Sequence, residues 1–184
     1  GSAKKSVTAD TGRLTVMLEA KTGVYDQAAA SARLATAVGT IETFLKKENL
    51  TDYELPAGST YPNYTYPQNS EPVLTGYTVN RSVVIRSADV ERLKSLANDT
   101  KPFTGGGYTV NISGLELTYS KLNEMRVSLL TDATRDAKAR AEAIATNSGR
   151  QIGQLRNAAS GVVQVLPAGG VEVSDYGTYD TSSM

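Results

Sequence analysis

The side chains that could do acid–base chemistry in this chain are mostly carboxylates, because its 184 residues include no histidine and no cysteine. That absence excludes a Ser-His-Asp triad, a cysteine nucleophile, a disulfide and a metal site with His or Cys ligands from this chain alone. Asp132 and Asp136 are four residues apart in a helical pattern, which places two carboxylates on one helix face. Arg135 and Arg140 are close enough to neutralise them, so a solvated helix face explains the pair more simply than a carboxylate-only hydrolase does.

Two further motifs are weaker than they look. The three glycines 105–107 would cradle a phosphate only between a strand and a helix N-terminus, and a strand pattern follows them, so a turn is the better interpretation. The S-x-x-K spacing of Ser2 and Lys5 lies at the chain terminus and carries no other sign of catalysis. With 19 basic and 19 acidic residues the chain offers no overall charge for nucleic acid. We expect no cofactor, no metal and no nucleic-acid partner.

The most distinctive segment, residues 56–72, combines four prolines with several tyrosines. Proline removes a backbone donor and disfavours helix and central strand, so we predict a long loop or a pair of irregular edge strands. Tyrosine supplies large, rigid contact area with a polar tip and favours interfaces. The rings either cover the segment's own backbone and a sheet edge, or form a subunit or ligand contact. The binding or interface residues predicted under the second hypothesis are Tyr61, Tyr64, Tyr66 and Tyr77.

Hydrophobic periodicity predicts the elements that must position these residues. Alternating apolar and polar residues indicate strands, and apolar residues at steps of three and four indicate helices. One or two further strands are expected over 151–167, followed by loop or disorder over 168–184. The predicted strands are 13–20, 73–86 and 108–119, with a short one at 53–55. The predicted helices are 24–47, a short one that starts with Ser87 as its cap and extends to about 97, and 121–147.

Individual residues refine these boundaries. Asn49 is expected to stop the first helix, Gly114 to mark a bulge, and Ser120 to cap the long helix. Tyr25 is placed in the apolar stripe of the first helix. The stripe of the long helix is interpreted as core packed on the sheet, or in the Ala137–Ala145 half as a contact with another subunit. Strands and helices alternate without tight phosphate-binding crossovers. The sequence therefore predicts an α+β fold, with antiparallel or mixed sheets and helices packed on them.

The order and spacing of four landmarks resemble the SIMPL-domain family, also called DUF541. The landmarks begin with the opening Gly1-Ser2-Ala3-Lys4-Lys5 before Ala9-Asp10. The second is Leu74-Thr75-Gly76-Tyr77 entering a strand that ends in Val84-Ile85-Arg86. The third is Asp89-Val90-Glu91-Arg92-Leu93 followed by Ile112-Ser113-Gly114-Leu115. The fourth is the long helix from Ala133 through Asp136-Ala137-Lys138-Ala139-Arg140-Ala141-Glu142, which closes on Ser148-Gly149-Arg150-Gln151-Ile152-Gly153.

The resemblance implies a domain over 1–166, in which one half resembles the β-α-β-β unit of dodecin-like proteins. It further implies two subdomains, about 1–72 with 120–166 and about 73–119. A flexible tail, 167–184, is expected to lead to a further strand. Compared with the family pattern, a strand is expected to be missing from the chain at each end.

For function, the resemblance implies a non-enzymatic protein of the bacterial cell envelope, periplasmic or at the surface. Family members include large ring- or channel-like homo-oligomers, and bacterial members are linked to oxidative-stress tolerance. No catalytic residue is established in the family, so none is carried over. The expected partner is a second copy, and membrane association would need segments outside this chain. The alternative is a binding module that uses the loop 56–72 for a peptide, glycan or small ligand.

Overall fold

Strand β1 (Thr11–Thr22) lies between two other strands of the sheet, and its residues alternate between two environments. Leu14, Val16 and Leu18 are completely buried, whereas the residues between them are only half-buried. This period of two is the pattern of a strand with one face on a hydrophobic core. The computed structural model describes residues 1–68, 70–161, 163–166, 172–174 and 177–179.

The sheet has five antiparallel strands in the order β2-β4-β1-β5, and β3 also pairs with β4. The β1–β5 register shifts opposite Thr15 and Val16, where Ser113 is the extra residue before Gly114, so the predicted bulge is confirmed. With three helices, this sheet confirms the predicted α+β class. The remaining strands of the sheet are β2 (Tyr53–Glu54), β3 (Ser59–Thr65), β4 (Val73–Ser87) and β5 (Thr109–Thr118).

Helix α1 (Gln27–Lys47) buries one face against the sheet. It ends as predicted: Asn49 adopts a left-handed φ of 57°, and the Leu50 N–H donates to a carbonyl of the last turn at 2.9 Å. The placement of Tyr25 in the apolar stripe is wrong. The helix begins two residues after Tyr25, and that side chain is 97% exposed. The buried residues of α1 are Ala30, Leu34, Ala37, Ile41 and Leu45.

Helix α2 (Val90–Asn98) starts at an acidic cap. The Asp89 carboxylate accepts the Arg92 N–H at 2.9 Å, so the cap is Asp89 and not Ser87, whose hydroxyl accepts the Asp89 N–H at 3.0 Å. A single 3-10 turn, Lys101–Phe103, then leads toward β5. Its last residue, Phe103, is almost completely buried and joins the core formed by α1, α2 and the sheet.

The chain divides into two compact units, residues 7–120 and residues 1–6 with 121–184. The second unit contains α3 (Leu122–Asn147). Ser120 does not cap this helix, because its backbone N–H and its hydroxyl both contact the Asp10 carboxylate at 2.7 Å. None of the residues of α3 is buried in the described part of the chain, and what its apolar stripe packs against stays a prediction.

After α3, residues 151–161 and 163–166 have no regular secondary structure. The prediction of one or two strands there is wrong, since no strand within the described part of the chain pairs with this segment. Pro167, the last residue of the predicted range, lies outside the described residues. Within the expected loop 168–184, β6 (Glu172–Ser174) and β7 (Gly177–Tyr179) pair antiparallel, so that expectation is wrong for these six residues. The other residues of 168–184 lie outside the described part.

Candidate functional site

The proline- and tyrosine-rich segment forms the outer strand of a hairpin rather than a free loop. β3 pairs antiparallel with the first half of β4, so the expectation of edge strands is confirmed for this part. Tyr61 lies opposite Thr78, and Pro62 lies opposite Tyr77. Because neighbouring residues of a strand point to opposite faces, Tyr61 and Tyr77 lie on opposite faces of the sheet. The four predicted tyrosines therefore do not form one surface.

Three of the four tyrosines are strongly exposed. Tyr61 is 57% exposed, Tyr64 47% and Tyr66 76%, whereas Tyr77 is half-buried. The three exposed side chains lie within six residues of one another on β3 and just after it. Tyr61 and Tyr64 are three residues apart on β3, so their side chains point to opposite faces of the strand. The name tyrosine surface is used here for the exposed outer edge of the hairpin that carries Tyr61, Tyr64 and Tyr66.

A bulge and one glycine shape the hairpin. The β3–β4 register shifts between Asn63 and Tyr64, and the hydroxyl of Thr75, the extra residue on β4, donates to the Asn63 carbonyl at 3.1 Å. A Cβ on Gly76 would collide with the carbonyl oxygen of Thr22, so only glycine lets the backbone of β1 approach this closely. The tyrosine surface is therefore carried by an irregular but specifically supported strand.

The sequence segment that carries the three exposed tyrosines has almost no charge. Glu71 is the only charged residue between residues 55 and 75. Phenol rings on such a surface can stack on sugar or proline rings, and their hydroxyls can exchange hydrogen bonds. The arrangement is suited to binding a neutral ligand.

A ladder of charges crosses the half-exposed face of the sheet, which the sequence analysis did not find. Arg13 and Arg86 lie opposite each other on β1 and β4. Arg13 pairs with Glu116 at 3.3 Å, and Arg86 pairs with Glu54 at 2.9 Å and with Asp52 at 3.7 Å. Hydrogen bonding to Arg86 lowers the pKa of Glu54. The carboxylates thereby offset the repulsion between the two neighbouring arginines. In the sequence, the ladder could have been found from the polar positions of the two alternating strands.

The two aspartates of the long helix are occupied by structural contacts. Asp132 pairs with Lys5 at 3.1 Å, and Asp136 accepts the backbone N–H of Ser2 at 2.8 Å. That hydrogen bond, together with the Arg140 side chain at 2.9 Å, lowers the pKa of the Asp136 carboxyl. A general acid needs the opposite shift. The pair holds the start of the chain on α3.

The same unit contains an open, largely apolar groove of about 810 Å³ between α3 and residues 152–161. The exposed apolar side chains of α3 include Val127 at 68% and Ile144 at 69%. Among the described residues, no three His, Cys, Asp or Glu side chains are grouped as a metal site would require. The groove-lining residues with apolar side chains include Leu130, Ala133, Ala137, Ala141, Ile152 and Leu155.

These features define an α+β protein with an antiparallel sheet, with α1 and α2 packed on one sheet face, and with exposed aromatic and aliphatic side chains. The chain belongs to the SIMPL family, described as a protein of unknown function (DUF541), whose model matches residues 1–180. No curated protein matches the chain. No helix in the described ranges has the length and apolar character that crossing a bilayer requires.

Proposed function

We propose that the protein is a non-enzymatic component of the bacterial cell envelope, periplasmic or at the surface, that works as a homo-oligomer in stress tolerance. The observation that carries the proposal is the exposure of helix α3. This 26-residue helix has no buried residue, and Val127, Leu130 and Ile144 are between 50 and 69% exposed. Aliphatic side chains in a row on one helix favour association because burying them removes apolar area from water.

The chemistry of the chain supports a role without catalysis. Histidine and cysteine are absent from the sequence, and the one carboxylate pair with helical spacing is engaged by Lys5 and Ser2. A hydrolase screen of the purified protein tests this part. An activity that disappears in the Asp132→Asn, Asp136→Asn double variant would contradict the non-enzymatic role.

Native mass spectrometry and light scattering of the full chain test the assembly. We expect a mass that is a multiple of the chain mass and that falls when Leu130 and Ile144 are both changed to Asn. Thr131→Asn, a change at an exposed polar position of the same helix, is the matched control and should leave the mass unchanged. A strict monomer at high protein concentration would refute the homo-oligomer. Fractionation of cells separates envelope from cytoplasm and tests the location.

The tyrosine surface favours a second candidate function, a binding module for a neutral glycan or proline-rich peptide. A glycan array and a set of proline-rich peptides serve as probes. The variant with Tyr61, Tyr64 and Tyr66 changed to Ala should lose binding at an almost unchanged melting temperature, because these rings are exposed. Tyr25→Ala is the control, since Tyr25 is exposed outside the segment. If wild type binds no probe, or the triple variant binds as well as wild type, this function is wrong.

A further inference from the structure

The two edges of the five-stranded sheet differ in how well they are protected against pairing. On one side, β2 has two residues, and β3 contains Pro62 and the register shift after Asn63. Proline lacks a backbone donor, and bulges and short strands interrupt a ladder, so this edge cannot easily accept another strand.

The other edge, β5, lacks such protection. It has ten residues, contains no Pro, Lys or Arg, and carries one charge, Glu116. One side of β5 pairs with β1, and no strand of the described residues pairs with its other side. Its outward backbone N–H and C=O groups are therefore available to a further strand.

The apolar side chains of β5 are covered incompletely. Val110, Ile112 and Leu115 are only partly buried against the core, and Leu117 is 39% exposed. Leu14 of the neighbouring strand is completely buried, although it lies directly opposite Leu115. A strand added beside β5, with its own apolar residues on the same face, would complete the burial of this row.

We propose that β5 pairs antiparallel with β5 of a second copy across a two-fold axis, which joins two sheets into one. This interface rests on the proposed homo-oligomer, of which it would be one subunit contact. A contact of β5 with its own copy across a two-fold axis is closed, because it pairs the β5 edges of both copies. Parallel pairing would set Glu116 beside its own copy, whereas the antiparallel arrangement below separates the two carboxylates by about 14 Å along the strands, four strand steps without the bulge residue.

The bulge fixes the register. Because Ser113 is an extra residue, Val110 and Ile112 before it share a face with Leu115 and Leu117 after it. The apolar rows of two copies meet when Val110 lies opposite Leu117 and Ile112 opposite Leu115 of the second copy. The polar positions then also match. In this register Asn111 lies opposite Glu116, and Thr109 opposite Thr118.

Disulfide trapping tests the register directly, since the chain contains no cysteine. In the Asn111→Cys, Glu116→Cys double variant, each cysteine lies opposite its counterpart in the second copy at about 5 Å between Cα atoms. We expect a covalent dimer of twice the chain mass under mild oxidation. Each single variant should stay monomeric on a denaturing gel, because identical positions are about 14 Å apart along the strands. The Asn111→Cys, Thr118→Cys variant, offset by two residues, should cross-link at least about tenfold more slowly, because its Cα atoms exceed disulfide range.

A charge on the edge tests the interface without cysteines. Leu117→Lys places an ammonium group opposite Val110 and should raise the dimer Kd at least about tenfold. Thr60→Lys, on the protected edge formed by β3, is the control and should leave the Kd unchanged. An oligomer that persists in Leu117→Lys and gives no cross-link in Asn111→Cys, Glu116→Cys refutes the β5 interface but not the homo-oligomer. A monomeric wild type refutes both, and preferential cross-linking through Thr118→Cys refutes the register.

Discussion

The 3-10 turn before β5 offers a quantitative test of the core. Phe103 is 1% exposed, and its ring meets Phe44 edge to face, with 6.0 Å between centroids and 87° between planes. Phe103→Ala should cost about 3–5 kcal/mol of unfolding free energy, because a large buried ring is removed from a core that refills incompletely. Phe103→Leu keeps most of the apolar area, so its loss should be smaller. The edge-to-face contact itself should contribute about 0.5–1.5 kcal/mol.

A double-mutant cycle isolates the contact between the two rings. Phe44→Leu, Phe103→Leu and the double variant are unfolded in urea, followed by tyrosine fluorescence because the chain has ten tyrosines and no tryptophan. We expect a coupling free energy of about 0.5–1.5 kcal/mol. Additive losses would show that the two rings do not interact as described. A loss below about 1 kcal/mol for Phe103→Ala would show that this turn is not part of the core.

Three further changes test local contacts. Arg86 lowers the pKa of Glu54, so their pair stabilises the fold above the ordinary carboxyl pKa, and this stabilisation is lost as the pH falls through the lowered value. Arg86→Gln should raise the Glu54 pKa in an NMR titration, and an unchanged value would contradict the pairing. A hydrogen bond to the Glu42 carboxylate of α1 raises the pKa of Tyr53. The bond stabilises the fold below the ordinary phenol pKa, and this stabilisation is lost as the pH rises through the raised pKa. Tyr53→Phe should remove one late-titrating phenol from the ultraviolet titration. Gly76→Ala should lower the unfolding free energy by about 1–3 kcal/mol, because the new Cβ collides with the Thr22 carbonyl; a neutral result in thermal unfolding would refute the close approach.

Much of the first unit could be predicted from local patterns. The alternation in β1 and β4 predicts both strands, since each has one face on the core and a period of two is unambiguous over that length. Asn49 stops α1 because few other residues enter the left-handed region at low cost. Gly114 predicts the bulge for a similar local reason. These signals depend on the chain's own geometry and need no distant partner.

The failures occur where a distant partner decides. Serine is a common helix cap, but the backbone N–H and the hydroxyl of Ser120 both donate to the Asp10 carboxylate, 110 residues away in sequence. Tyr77 was grouped with Tyr61 by proximity in sequence, and the pairing of β3 with β4 separates their faces.

The sequence by itself determined the α+β class, the order of the main elements and the exclusion of histidine and cysteine chemistry, because composition and periodicity are properties of the chain alone. Only the tertiary structure decided which face of the sheet each tyrosine occupies, how the carboxylates are paired and which sheet edge has no partner strand among the described residues. Strand pairing joins residues that are far apart in sequence, and its register selects which side chains meet. That β5 has no partner on its outer side among the described strands is visible only once β1 is placed between β4 and β5.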